Sequence, residues 1–268
     1  MTAAKFSMAG LADTGQWRLI LAVSESGIHA LLKNTLFEEE PPVILLKKEW
    51  AVPSSELLSA IEDAVYETPR IFDDFATHIV IESAKSLWIP TEYTEEEEFN
   101  EDYFTCVYPS QSVDIFADFG ERETCVYTLC PGLSSFLKRT LPGCKISSHL
   151  SVLKEHIEKK NPATELFIIK DKYNTNIFTF SKGRFLNGTC YDCLSIEETV
   201  LKALMTLKTY GIGAQEARCN LVCKNEDFNK FKEMLRDLIP DIKLLDLPPL
   251  VRDEGIVLPA AIVAGETF

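Results

Sequence analysis

Glycine is scarce in this chain, with 12 in 268 residues, and it is missing where a phosphate-binding backbone would need it. None occurs between Gly143 and Gly183, and none between Gly213 and Gly255. The pair Gly211-x-Gly213 follows a helical stretch rather than a strand and has no third glycine, so a dinucleotide-binding turn is excluded. Asp118-Phe119-Gly120 spells the metal-holding triplet of protein kinases, yet no glycine-rich loop and no His-Arg-Asp accompany it. Its surroundings read as a hairpin. No Gly-x-Ser-x-Gly occurs either, which leaves a Ser-His-Asp hydrolase without support.

Long apolar runs are also lacking. Stretches such as Leu258 to Ala264 fall far short of the ~20 residues that span a bilayer. Met1 to Gly15 holds a single lysine and no sustained apolar stretch, which does not resemble an export signal. The expectation is a soluble, cytoplasmic protein with no membrane insertion. Basic clusters are absent too. Net charge is −14, and Lys47-Lys48 and Lys159-Lys160 are isolated pairs, so no nucleic acid is expected as a partner.

Cysteine is present in some number, eight in all. The best metal candidate is Cys190-x-x-Cys193 with Cys219 and Cys223 downstream. Zinc needs its ligands converging at ~2.3 Å. Cys219-Asn220-Leu221-Val222-Cys223 reads as a strand, which sets its two sulfurs ~13 Å apart along one face. They cannot share an ion, and buried thiols are the expectation. His149 and His156 stand two turns apart on one helical face, also too far for one metal.

With 46% hydrophobic and 25% charged residues, the chain can bury one large core or two modest ones. One order of elements occurs twice: three short strands joined by tight turns, an amphipathic helix, then another strand. The first copy runs from about Trp17 to Ile81 and the second from about Glu165 to Cys223. In the first, Trp17 to Val23, Ile28 to Asn34 and Val43 to Trp50 alternate or run apolar as strands. Leu57, Leu58, Ile61 and Val65 mark the helix, and His78 to Ile81 the fourth strand. In the second, Leu166 to Ile169, Asn176 to Ser181 and Arg184 to Thr189 are strands, the last two joined at Lys182-Gly183. Ser195 with Glu198 caps a helix carrying Val200, Leu201, Leu204 and Leu207, stopped by Gly211 and Gly213. Asn220 to Cys223 and Ile242 to Leu245 are further strands, flanking a helix marked by Phe228, Phe231 and Leu235.

Between the copies, Ser112 to Asp118 and Glu123 to Leu129 form a hairpin, followed by short helices over Pro131 to Arg139 and Leu150 to Lys159. Lys160-Asn161-Pro162 reads as the linker, which divides the chain into residues 1–162 and 163–268. The acidic run Glu95 to Glu98 follows Thr94, whose spacing to Glu97 fits a capping box. It is read as a solvated helix start, with a recognition patch as the other possibility. The tail from Leu247 to Phe268 can pack on the second half or dock elsewhere.

This order resembles the cytoplasmic actin-like proteins of pilus-assembly machinery. Cys125-Val126-Tyr127-Thr128-Leu129, the Leu133 to Thr140 helix, Pro142-Gly143-Cys144-Lys145-Ile146 and the Leu150 helix resemble the end of their first domain. The second half, with Lys182-Gly183-Arg184-Phe185-Leu186-Asn187 and the Leu194 to Thr199 helix start, is more similar to an uncharacterised Bacteroidetes family assigned an actin-like ATPase fold. The resemblance covers about residues 17 to 245. It implies an α/β protein of two ribonuclease-H-like (actin-like ATPase) domains, each a mixed sheet flanked by helices.

Working members of that superfamily bind ATP with magnesium between the domains, using three turns. Each first hairpin needs an acidic metal holder plus glycine or small residues, so that backbone N–H groups can reach phosphate. Here the first turn, Ser24-Glu25-Ser26-Gly27, is a partial match. The second, Asp171-Lys172-Tyr173-Asn174-Thr175, keeps an aspartate and has no glycine. Lys224-Asn225-Glu226 stands where the resemblance implies the glycines of an adenosine-binding turn. Ser24, Glu25, Ser26, Gly27, Asp171, Lys172 and Asn174 are therefore the candidate cleft residues. The reading adopted is a non-catalytic actin-like scaffold that binds another protein and uses no cofactor. One alternative is a divergent Mg-ATP-dependent ATPase or small-metabolite kinase using Glu25 and Asp171 around magnesium. Another is a two-metal nuclease on Glu25, Glu62 and Glu82.

Overall fold

In the computed structural model, residues 14–37, 39–94, 97–109, 114–192 and 194–268 are described. The first half opens with β1 (Trp17–Ser24), β2 (Gly27–Asn34), β3 (Val43–Glu49), α1 (Leu57–Tyr66) and β4 (Ala76–Ile81). An inserted unit follows, made of β5 (Ser86–Pro90), α2 (Glu97–Val107), β6 (Phe116–Asp118) and β7 (Glu123–Tyr127). The half closes with α3 (Leu133–Thr140), β8 (Lys145–Ser148) and α4 (His149–Glu158). The second half contains β9 (Glu165–Lys170), β10 (Asn174–Ser181), β11 (Arg184–Asp192), α5 (Ile196–Thr209), β12 (Arg218–Val222), α6 (Asn225–Leu235) and β13 (Asp241–Leu244). Two short helices end the chain, α7 (Pro249–Arg252) and α8 (Leu258–Val263).

The two halves share one topology. The first sheet is ordered β3-β2-β1-β4-β8 and the second β11-β10-β9-β12-β13. In each, the first three strands are antiparallel neighbours and the remaining pairs are parallel. The insertion forms a separate antiparallel sheet, β5-β7-β6, with α2 against it. These are the two mixed, helix-flanked sheets that the repeated element order implies.

Local chemistry explains the elements. Ser195 accepts the backbone N–H of Glu198, whose carboxylate takes the N–H of Ser195, a reciprocal cap that opens α5. At the far end, the N–H of Gly211 bonds Lys208 O and that of Ile212 bonds Leu207 O, with Gly211 at φ 67°. A side chain would be strained in that left-handed position, so glycine ends the helix. Lys182 and Gly183 both have positive φ, the geometry of the two-residue turn that matches strand twist. The capping box expected at Thr94 and Glu97 falls partly outside the described residues. Thr94 itself donates its hydroxyl to Thr91 O at 2.9 Å.

Burial joins the halves. Leu19, Leu21 and Val23 on one face of β1 pack with Leu57 and Ile61 of α1, Phe136 of α3, and Leu150 and Leu153 of α4. Phe167, Ile169, Phe178 and Phe180 of the second sheet enter the same apolar cluster. The opposite face of the second sheet, with Leu166, Ile168 and Ile177, is covered by Val200 and Leu207 of α5 and Phe231 and Leu235 of α6. The tail returns to the first sheet. Ile256, Ala260 and Ala261 cover Ile20, Ala22 and Val80 on the face away from α1.

Described cysteines at 106, 125, 130, 144, 190, 219 and 223 are all unpaired, and Cys193 lies outside the described residues. Burial pushes the Cys219 and Cys223 thiols up to about 12. Among the described residues, no group of three or more His, Cys, Asp or Glu is placed to hold a metal ion. None of their helices is long and apolar enough to cross a membrane.

Candidate functional site: the cleft between the two sheets

Equivalent strands bring equivalent turns together. Val23 is level with Ile81 across β1 and β4, as Ile169 is with Val222 across β9 and β12. Glu25 and Asp171 thus occupy matching places just beyond the first strand of each half. The first acidic residue after β4, Glu82, matches Cys223 after β12. A cavity of about 310 Å³ between the turns is lined by Ser24, Glu25, Ser26, Glu82, Tyr173 and Asn174, together with Trp50 and Asp192. Gly27 borders a smaller void of about 20 Å³ beside it, room for about one water molecule.

Few backbone donors are free in either turn. In the first, the N–H of Ser26 donates to Ser24 Oγ at 3.2 Å, and the Ser24 and Ser26 hydroxyls are 3.1 Å apart. Gly27 is glycine for packing reasons: a Cβ there would lie 2.6 Å from Lys48 O on β3. In the second turn, the N–H groups of Tyr173 and Asn174 both donate to Asp171 Oδ1, each at 2.7 Å. This side-chain turn puts a carboxylate of the chain where two amides converge.

Side chains then tie the turns across the cleft. Glu49, at the end of β3, accepts from the Tyr173 hydroxyl at 2.6 Å and from Lys172 Nζ at 3.0 Å. These bonds hold the exposed Glu49 carboxyl below its usual range. Lys172 also donates to the Tyr173 hydroxyl at 2.6 Å. Trp50 donates its indole N–H to Glu25 O at 3.0 Å. Deeper in, His149 links both sheets. Its Nε2 lies 3.0 Å from Asn176 Oδ1 on β10, and Ser83 N–H donates to its Nδ1 at 3.4 Å. Full burial pushes this imidazole down to about 4, so it is neutral at pH 7.

The titratable groups lining the cleft are acidic. Burial, then the neighbouring Asp171, pushes the Glu82 carboxyl up to about 8. Glu82 is 5% exposed, and its Oε1 has no hydrogen-bond partner among the described residues. Asp171 keeps an exposed edge, but its crowded surroundings raise its carboxyl, against the pull of the Asn174 and Tyr173 N–H groups. Glu25 is raised by partial burial and by Asp192, with Lys85 acting the other way.

Of the expected cleft residues, Ser24, Glu25, Ser26 and Asn174 share the cavity, Gly27 borders the adjoining void, and Asp171 faces Glu82. Lys172 reaches out to Glu49 instead. Glu62 lies on α1 opposite Arg139, at 3.6 Å, and is not among the cleft residues, so the three-carboxylate nuclease cluster does not assemble. Lys224 precedes the first residue of α6, and its carbonyl accepts the N–H of Phe228. Sequence reasoning missed Glu49, Trp50, Tyr173 and Asp192. A signal for two of them existed: Glu49 is level with Gly27, and Asp192 with Asn174, so each half places an acid beside its own turn.

Paired mixed sheets, with equivalent turns facing across a cleft, define an actin-like ATPase fold of two ribonuclease-H-like domains. A Bacteroides thetaiotaomicron protein with actin-like ATPase fold and unknown function is similar over 95% of this chain and 97% of its own, at TM-score 0.77 and 17% identity. The PilM-PilN type IV pilus biogenesis complex gives TM-score 0.47 and 12% identity, covering 95% of this chain and 100% of that one. The cytoplasmic domain of EpsL from the type II secretion system of Vibrio cholerae gives 0.46 and 12%, covering 86% of each. At residues 13–242 the sequence matches the family described as Protein of unknown function (DUF3822), and the chain belongs to that family. No curated protein matches the sequence.

Proposed function

We propose that this protein is a non-catalytic actin-like module that binds another protein, and that its cleft is held by its own side chains rather than by nucleotide. The observation that carries the reading is the second turn, where Asp171 takes the two N–H groups that a phosphate would need. A triphosphate would have to displace this internal carboxylate and settle beside Glu25 and Asp192, with Lys85 acting the other way and Glu82 holding its proton at pH 7. Like charges in a partly buried site repel, which disfavours a polyanion there. The residues present thus do not suit ATP.

A second reading has one observation in its favour. The buried Glu82 Oε1 has no partner among the described residues and lies near enough to Asp171 to be raised by it. A cation supplied with a nucleotide would favour its ionised form, although no three described acidic side chains there are already placed to hold a metal. Melting curves with magnesium alone and with Mg-ATP separate the two. A ligand at 100 times its dissociation constant stabilises a fold by ~2.7 kcal/mol, readily seen as a melting shift. The scaffold reading expects no shift at millimolar Mg-ATP. A reproducible rise that disappears in Glu25→Ala overturns it in favour of the ATPase.

A further inference from the structure

A larger cavity lies elsewhere. It holds about 600 Å³, in the range of small-molecule sites, and lies between the β8 edge of the first sheet, the inserted sheet, α4 and α8. Its placement follows from register. His78 is level with Lys145 across β4 and β8, and Arg18 lies on the same face of the neighbouring β1 as Ile20, whose partner is His78. The tail helix covers the rest of that face, so Ile262 and Val263 form an apolar wall opposite these cations. Lys159 and His156 enter from α4, and Phe119 from the β6–β7 turn.

Three features mark this cavity. The chain carries −14 net charge, yet Arg18, Lys145 and Lys159 all line this one cavity, and none of them is in an ion pair among the described residues. Two carboxylates border the cavity, Asp118 and Glu155. Asp118 accepts from Ser148 N–H at 2.6 Å and from the Tyr127 hydroxyl at 3.0 Å, with Lys145 near enough to favour its charge without a direct ion pair. The second feature is His156, only 9% exposed, whose Nε2 has no partner among the described residues. Its ring packs against Phe268, centroids 4.6 Å apart and tilted at 46°. Third, His78 Nε2 lies 3.0 Å from Ser147 Oγ, a neutral polar pair on the cavity floor. An orphaned buried nitrogen costs free energy unless something completes it.

We infer that this cavity binds a phosphomonoester joined to an apolar body, with Arg18, Lys145 and Lys159 holding the anion and the tail helix and Phe119 covering the apolar part. Arginine and lysine both suit a phosphate dianion, the first through its forked donors. The site is separate from the cleft and shares no residue with it.

The probe is 1-naphthyl phosphate, followed by titration calorimetry on the full chain, with 1-naphthol and inorganic phosphate as the two halves of the ligand. Naphthyl phosphate is expected to bind more tightly than either half, and about tenfold more weakly in each of Arg18→Gln, Lys145→Gln and Lys159→Gln. All three side chains are on the surface, and unchanged melting in the absence of probe shows that the variants fold. Glu25→Gln, in the cleft, leaves the affinity unchanged. No uptake at millimolar probe, or equal affinity in wild type and all three lysine and arginine variants, overturns the proposal. Vesicles containing phosphatidic acid distinguish a lipid headgroup from a soluble ester. Competition between vesicles and naphthyl phosphate supports the site with a lipid as its source, whereas vesicle capture without uptake of the soluble probe overturns it.

Discussion

The two halves of this protein are built on one topology, yet their matching turns solve the same local problem differently. In the first, the Ser24 hydroxyl accepts the Ser26 N–H and lies 3.1 Å from the Ser26 hydroxyl, and Gly27 lets β3 come close. In the second, one carboxylate, Asp171, satisfies two amides, while Lys172 and Tyr173 turn outward to Glu49 of the other half. The residue after the fourth strand differs as well: a buried carboxyl at Glu82, a buried thiol at Cys223. Equivalent backbone does not imply equivalent chemistry. The cleft faces are asymmetric, and the second reaches across to fasten onto the first.

That asymmetry is sharpest at Glu82. Its folded-state value of about 8 lies above that of an unfolded glutamate, so the folded chain retains the proton longer. Stability from this group is fully present below about 4.5 and is lost as pH rises through about 8. Replacing Glu82 with Gln, which stays neutral, removes the loss. Urea unfolding at pH 5 and pH 8 is expected to show the wild type declining relative to Glu82→Gln by up to about 3.5 kcal/mol. The four histidines, all held down to about 4 by burial, act in the opposite sense, losing stability as pH falls from about 6.5 to about 4. Both proteins share them, so they cancel in the difference. Parallel pH profiles for the two proteins would show that Glu82 is not the strained group in this comparison.

The next effect concerns how the halves are joined. His149 belongs to the first half, but its Nε2 bonds Asn176 of the second. His149→Leu preserves most of the volume and leaves Asn176 without this partner, so a loss of about 2–3 kcal/mol is expected in denaturant unfolding. A change below about 0.5 kcal/mol would mean the bridge is dispensable and apolar burial alone unites the sheets.

Much of this architecture was legible in the sequence because the long strands and helices carry strong periodicity. The apolar run of β1 and the Ser195–Glu198 cap are examples. Two strands were not read. β5 has five residues and β8 only four, Lys145-Ile146-Ser147-Ser148, which run straight into α4 without an alternating pattern. The site was half legible. A shortage of glycine in the turns is a sequence fact, and it directed attention to the two turns that border the cleft. What the sequence did not disclose is the direction of Asp171, read as a metal holder and found bonded to its own turn. Nor could one turn reveal that Tyr173 would meet Glu49, 124 residues away. Such contacts depend on how the sheets face each other, and no local pattern encodes that.

Amide-resolved NMR reads whether the amides of the second turn are engaged by Asp171 in solution. The backbone N–H signals of Tyr173 and Asn174 should exchange slowly for residues in an exposed turn and should not move when millimolar Mg-ATP is added. Signals for these two amides that shift and saturate with Mg-ATP, with matching shifts at Ser26 and Gly27, would contradict the account and restore the cleft as a nucleotide site.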